Sequence, residues 1–168
     1  FLIDRLYNFL IEEGFRSDKL SAIISNDNIS QKTFFKIKSE LKALDKILNT
    51  KSGIKFISNF KRIYNITKKS ETLPNSLKIK KELFVFKEEM QLYNFLTKLS
   101  KSNKISSELS YNNIQLDHFN EFNSLIEKFF DNVLVNDKNN QIKNNRIKLL
   151  ESIKLNFEMI CKFQLLKI

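Results

Sequence analysis

The sequence predicts an all-α bundle of about seven helices. Apolar residues recur every third or fourth position along nearly the whole chain, and no segment alternates apolar and polar residues between turn dipeptides as a strand would. With only two Gly and one Pro in 168 residues, few breaks interrupt those stripes.

The elements follow in order. Phe1, Leu2, Leu6, Phe9 and Leu10 form the first stripe, and Gly14 stands where a helix C-cap belongs. A short second helix carries Leu20, Ile23 and Ile24, with Ser17 as its expected N-cap. A third runs from Ser30 to about Leu48 on Phe34, Ile37, Leu41, Leu44 and Leu48. The fourth spans roughly Ser52 to Lys69, with Phe56, Ile57, Phe60, Ile63 and Tyr64 on one side. Pro74, between Thr72, Asn75 and Ser76, is the clearest break, so a subdomain boundary would fall near 70–78. One domain over 1–168 is preferred, because each half alone has a thin core.

Beyond Pro74, Leu83 to Leu99 reads as helix, with Phe86, Met90, Tyr93 and Leu96 in phase. Ser100 to Ser110 is polar and reads as a loop. Asn112 to Val135 carries Phe119, Phe122, Ile126, Phe129, Phe130 and Val133. An Asn-rich connector leads into the last helix, Ile142 to Phe163, on Leu149, Leu150, Ile153, Phe157 and Ile160. The start at Phe1, already inside an amphipathic pattern, reads as a piece cut from a longer protein.

Composition narrows the chemistry. One Cys gives neither a disulfide framework nor a Cys-based zinc site, and His118 alone cannot assemble a multi-histidine metal centre. No metal site is expected. A nucleophilic triad would have to recruit that same histidine, and Gly14 and Gly53 lie too far apart for a phosphate loop. Catalysis by this chain alone is therefore not expected. His118 reads as a packed or half-exposed side chain, and Cys161 as a small buried hydrophobe in a reducing compartment. No apolar run of membrane-spanning length occurs.

Lys and Arg number 29 against 19 Asp and Glu, a net charge of +10. Part of this reflects the Lys-, Asn- and Ile-rich composition that an A+T-rich genome favours, yet the field still attracts polyanions. The stretch to weigh is KRIYNITKK, Lys61 to Lys69. Phe56, Phe60, Ile63 and Tyr64 share one face of this helix, leaving Lys61, Arg62, Asn65, Lys68 and Lys69 on the other. No acidic residue occurs between Ser52 and Ser70, whereas solvated faces usually mix signs. A planar Arg and an Asn among lysines suit phosphate and base-edge contacts. A Lys-rich solvent face is the plain alternative. The sixteen Phe residues mainly supply core, although an exposed one beside the stripe could stack on a base.

Arg146 lies within the apolar stripe of Ile142, Leu149, Leu150 and Ile153, and a charge aimed at a core must be paired. Asp131, near the end of the preceding helix, is the expected partner in a structural ion pair. Asn144 and Asn145, near that helix's start, are placed to cap it or to touch a ligand, and Asn145 is counted among the RNA-binding candidates.

Three motifs carry a resemblance to a known family. The ending FFDNVLVN…NNRIKLLESIKLNFEMICKF resembles the C-terminal end of the β subunit of bacterial glycyl-tRNA synthetases, with its FFD-x-V-x-V element followed by N-R-x-x-L-L. KRIYNI is similar to that family's K-R-x-x-N-I helix, and the opening FLIDRLYNFLIEEGFRSDKLSAII to its F-x-x-[DE]-R-[LF] … G … D-x-[IL]-x-A segment. The motifs keep the family's order. Asn136 stands where the family has an apolar residue, and no motif falls in Ser76 to Ser110.

The resemblance implies an α-helical anticodon-binding domain, similar to the one ending arginyl-tRNA synthetases. It implies glycine tRNA, the synthetase α subunit and the rest of the β subunit as partners, with no membrane, in the cytoplasm. No cofactor is expected in this chain, since ATP and Mg would bind in the catalytic α subunit. Glycine anticodons carry two cytosines, whose N4 amino groups need acceptors such as the Asn65 amide. A protein-interaction bundle, or the arginyl-type version of the domain, are the other readings.

Overall fold

The computed structural model describes residues 2–25, 33–69, 78–105 and 116–168. Among these residues the chain forms seven α-helices and no strand: α1 (Leu2–Glu12), α2 (Ser17–Ile24), α3 (Phe34–Leu48), α4 (Lys51–Lys68), α5 (Lys87–Ile105), α6 (Leu116–Asn132) and α7 (Asn140–Glu158). Short 3-10 turns occupy Lys81–Leu83 and Phe163–Leu165.

Local chemistry sets most of the helix ends. Gly14 adopts φ 93°, and the Gly14 and Phe15 amides donate back to Ile11 and Leu10, so α1 closes on a left-handed glycine cap. Thr33 Oγ1 accepts from the Lys36 amide and starts α3; the expected start at Ser30 lies outside the described residues. Thr50 caps α4 by accepting from Gly53 N at 3.0 Å, and Asn139 caps α7 by accepting from Gln141 and Ile142.

Five expectations are corrected. Arg16, not Ser17, holds the N-cap position of α2, and Ser17 is its first helical residue. Helix α5 begins at Lys87 rather than Leu83, because the Glu89 carboxylate accepts from the Val85 and Phe86 amides and fixes the helix start there. It also runs to Ile105, through part of the expected loop. Finally, α6 stops at Asn132, and α7 at Glu158, where the chain turns into the Phe163–Leu165 segment.

Helix α4 is the centre of the assembly. It packs against α3, α6, α7 and the Phe163–Leu165 turn, while α5 lies across α6 and α7. Helices α1 to α3 form a smaller layer, tied to the C-terminal turn through α2, where Lys162 N donates to Ala22 O at 2.9 Å. Phe56, fully buried, meets Phe119, Phe122, Phe157 and Phe163 with ring centres 4.3 to 5.4 Å apart. Each edge-to-face pair contributes about 0.5–1.5 kcal/mol beyond the area it buries. Leu92, Phe95, Leu96 and Leu99 provide the buried face of α5, whereas Phe86 and Met90, expected on that stripe, are exposed.

Candidate nucleic-acid interface

The two faces of α4 are sharply divided. Phe56, Phe60 and Ile63 are fully buried, and Thr67 is nearly so. Arg62, Asn65, Lys68 and Lys69 are exposed, and Lys61 is half-buried. An i, i+3, i+4 apolar stripe anchored by α6 and α7 places these polar residues on the opposite side of the helix.

Four of these positions do not act alone. Lys61, Arg62, Asn65 and Lys69 line a groove of about 660 Å³ whose far wall is Asn136, on the α6–α7 connector, and Lys143 on α7. No carboxylate lines it. Among the described residues, no acidic side chain pairs with Lys61, Arg62, Lys68, Lys69 or Lys143. Lys55, one turn earlier on α4, does pair, with Glu127 at 2.8 Å. The acid-free character therefore belongs to the groove and not to the helix as a whole. Arg62 also reaches α6, its guanidinium carbon 3.8 Å from the centre of the Phe130 ring.

Neither Asn136 nor Lys143 is among the binding residues expected from the sequence. Asn136 had a signal, as a polar residue at a family apolar position; Lys143 had none, because its register on α7 relative to α4 is a tertiary fact.

Asp131 is not the partner of Arg146. The Arg146 guanidinium is sealed in the core, 1 % exposed, and donates through Nε to Glu89 Oε1 at 2.9 Å. Its Nη1 donates to Asp137 Oδ2 at 2.8 Å and to the Leu134 carbonyl at 2.9 Å. Its Nη2 lacks a hydrogen-bond partner, and the Phe86 ring lies 5.6 Å from the guanidinium carbon. Asp131 sits on the exposed side of α6, beside Lys55 and Lys128, because the helix phase that buries Phe129 turns Asp131 outward. The Asn139 amide, and then the Arg146 guanidinium, hold the Asp137 carboxyl below the usual carboxylate range. Arg146 thus joins the start of α5, the α6–α7 connector and α7.

Asn145 is likewise placed elsewhere than expected. It is 3 % exposed, its Nδ2 donates to the Lys80 carbonyl at 2.9 Å, and its Oδ1 accepts from the Lys80 amide at 2.8 Å. Both ends of the side-chain amide hold the 78–80 segment, and the buried Asn145 is not presented on the surface. The helix cap considered for Asn144 and Asn145 belongs to Asn139. Cys161 is buried, and the side chain of His118 lies outside the described residues. No group of His, Cys, Asp or Glu suited to a metal ion occurs among the described residues, and no described helix is long and apolar enough to cross a membrane.

A helical bundle presenting an outward cationic groove backed by an aromatic core is the class these features define. The chain belongs to the DALR anticodon binding domain family, whose pattern matches residues 57–163 and so includes the whole Lys61–Lys69 stripe. It is similar to the glycine–tRNA ligase β subunits of Thermodesulfovibrio yellowstonii, 28% identical over 155 residues, and of Sulfurihydrogenibium, 28% over 164 residues. Those alignments cover 91% and 97% of this chain. The β subunit of Dictyoglomus thermophilum is 30% identical over 161 residues, 94% of this chain. The chain spans between a fifth and a quarter of the length of these relatives, 22%, 23% and 22%.

Proposed function

We propose that this chain is the anticodon-binding part of a glycine–tRNA ligase β subunit and grips glycine tRNA through the α4 groove. The observation that carries the reading is the acid-free, outward cluster of Lys61, Arg62, Asn65, Lys68 and Lys69, faced across the groove by Lys143. Lysines neutralise phosphates of the anticodon arm, and the Asn65 amide accepts from a cytosine N4 amino group. The chain supplies recognition and not chemistry. In this reading glycine and ATP with Mg are handled by an α subunit in the cytoplasm, and the remainder of the β subunit completes the enzyme.

Titrating glycine tRNA against the chain and its Arg62→Ala and Asn65→Ala variants tests the placement. Weakened binding in both, and a log affinity that falls linearly with log salt, are expected. Unchanged affinity in both variants overturns it. Equal affinity for arginine tRNA would point to the arginyl-type version of the domain.

Protein docking is favoured by one observation, the exposure of Val85, Phe86 and Leu134 around the buried Arg146. A tRNA affinity indifferent to salt would support that reading.

A further inference from the structure

Arg62 presents a plane as well as a charge. Its guanidinium lies over Phe130, half-buried at the end of α6, and the residue is exposed with no carboxylate drawing it away among the described residues. A guanidinium backed by a ring is held in one orientation, so stacking a second π surface on it loses little side-chain freedom. Phe130 itself is covered by Arg62, which moves the stacking surface from the aromatic residue to the arginine.

The groove beside that plane offers selective polar chemistry. Asn136, on the α6–α7 connector, lines the same groove as Arg62. Among the described residues no hydrogen bond engages the side-chain amide of Asn136 or Asn65. An amide sets an acceptor oxygen beside a donor NH2, the complement of the cytosine N4–H and N3 pair. No carboxylate competes for the amino group, and Lys61, Lys69 and Lys143 supply positive charge for the flanking phosphates. The connector carrying Asn136 is fixed by Arg146, through the Leu134 carbonyl and Asp137. A volume of about 660 Å³ falls within the range of small-molecule pockets.

We propose, resting on the RNA-binding reading above, that this groove seats one unstacked cytosine, flat on the Arg62 guanidinium with Phe130 behind it and its N4–H/N3 edge at the Asn136 amide. Arg62 is then a stacking platform and Asn136 the residue that reads the base.

The test uses anticodon stem-loops of glycine tRNA with the fluorescent base pyrrolocytosine replacing each loop cytosine in turn. Binding to the wild-type chain should quench one position. Arg62→Lys, which keeps the charge and loses the plane, should abolish that quenching and weaken binding about tenfold while leaving the salt slope intact. Asn136→Ala should keep the quenching and lose most of the preference for cytosine over N4,N4-dimethylcytosine, which lacks the N4–H donor, at that position. Persistent quenching at that position in Arg62→Lys, or an undiminished preference in Asn136→Ala, overturns the proposal while salt-dependent binding upholds the broader reading. If the wild-type chain binds without any salt dependence, the broader reading falls and takes this proposal with it.

Discussion

Arg146 Nε and Glu89 Oε1 meet at 2.9 Å with both side chains shut off from water, 1 % and 0 % exposed. The second Glu89 oxygen accepts from Val85 and Phe86, so a single carboxylate starts α5 and neutralises the charge inside the bundle. Removing one partner of such a pair strands the other. Glu89→Gln should destabilise the chain by about 3 kcal/mol, read as a lower urea midpoint. A midpoint within experimental error of wild type would show that Asp137 alone neutralises Arg146.

Asn145 separates a structural role from an RNA role. Asn145→Ala leaves the Lys80 amide and carbonyl without their partner and should cost about 1–3 kcal/mol. The salt slope of tRNA binding should not move. A reduced slope with intact stability would restore Asn145 to the binding surface.

Lys143 makes the converse case. It lines the groove from α7 with no acidic partner among the described residues. Lys143→Ala should reduce the slope of log affinity against log salt by about 0.7–0.9 and leave the urea midpoint within about 0.5 kcal/mol of wild type. Lys55→Ala, which breaks a pair with Glu127 outside the groove, serves as the comparison and should leave the slope alone.

Asp18 gives the fold an acid limit. Burial raises its carboxyl, but the Lys167 amide, donating at 2.7 Å, and the Arg16 guanidinium outweigh it and hold the group below its ordinary value of 3.8. A carboxyl depressed in the folded state binds protons more readily when unfolded. Its contribution is therefore complete above about pH 4 and drains away as the pH falls through the lower folded value. Urea midpoints measured from pH 7 down to pH 2 should decline on the acid side, and Asp18→Asn should flatten that decline. Equal acid sensitivity in the two proteins would assign the limit to other carboxylates.

Gly53 is required for space. A Cβ added there would stand 2.0 Å from the Ile47 carbonyl oxygen, in the backbone of α3, so the corner between α3 and α4 would have to open. Alanine would bring about 1 kcal/mol of helix preference. Overpacking against backbone outweighs it, and Gly53→Ala should lower stability by about 1–3 kcal/mol in a thermal melt. A stabilised variant would mean that the corner yields freely.

The sequence was most informative where a decision is local. The Gly14 cap, the helical stripes of α4 and α6 and the outward cationic side of α4 all depend on residues within a turn or two of one another. Partners distant along the chain were misjudged. Asp131 looked right for Arg146 at fifteen positions' remove, yet the bond goes to Glu89, 57 positions away. Asn145 likewise spends its amide on Lys80, 65 positions away. Periodicity identifies the face that a side chain occupies but says nothing about which helix will lie opposite. In α5 two apolar stripes compete, and the buried Glu89 selects the Leu92–Phe95–Leu99 set over Phe86 and Met90. Nothing local announces that choice. The groove needed both kinds of information: one wall was legible in KRIYNITKK, and the other awaited the docking of α7.

The division of α4 into a greasy half and a wet half has an evolutionary corollary. Phe56, Phe60, Ile63 and Thr67 hold the bundle, while Asn65, Lys68 and Lys69 are exposed. Selection can rewrite those outer positions without retuning the interior, so one inherited scaffold can carry a different outer surface after a few changes.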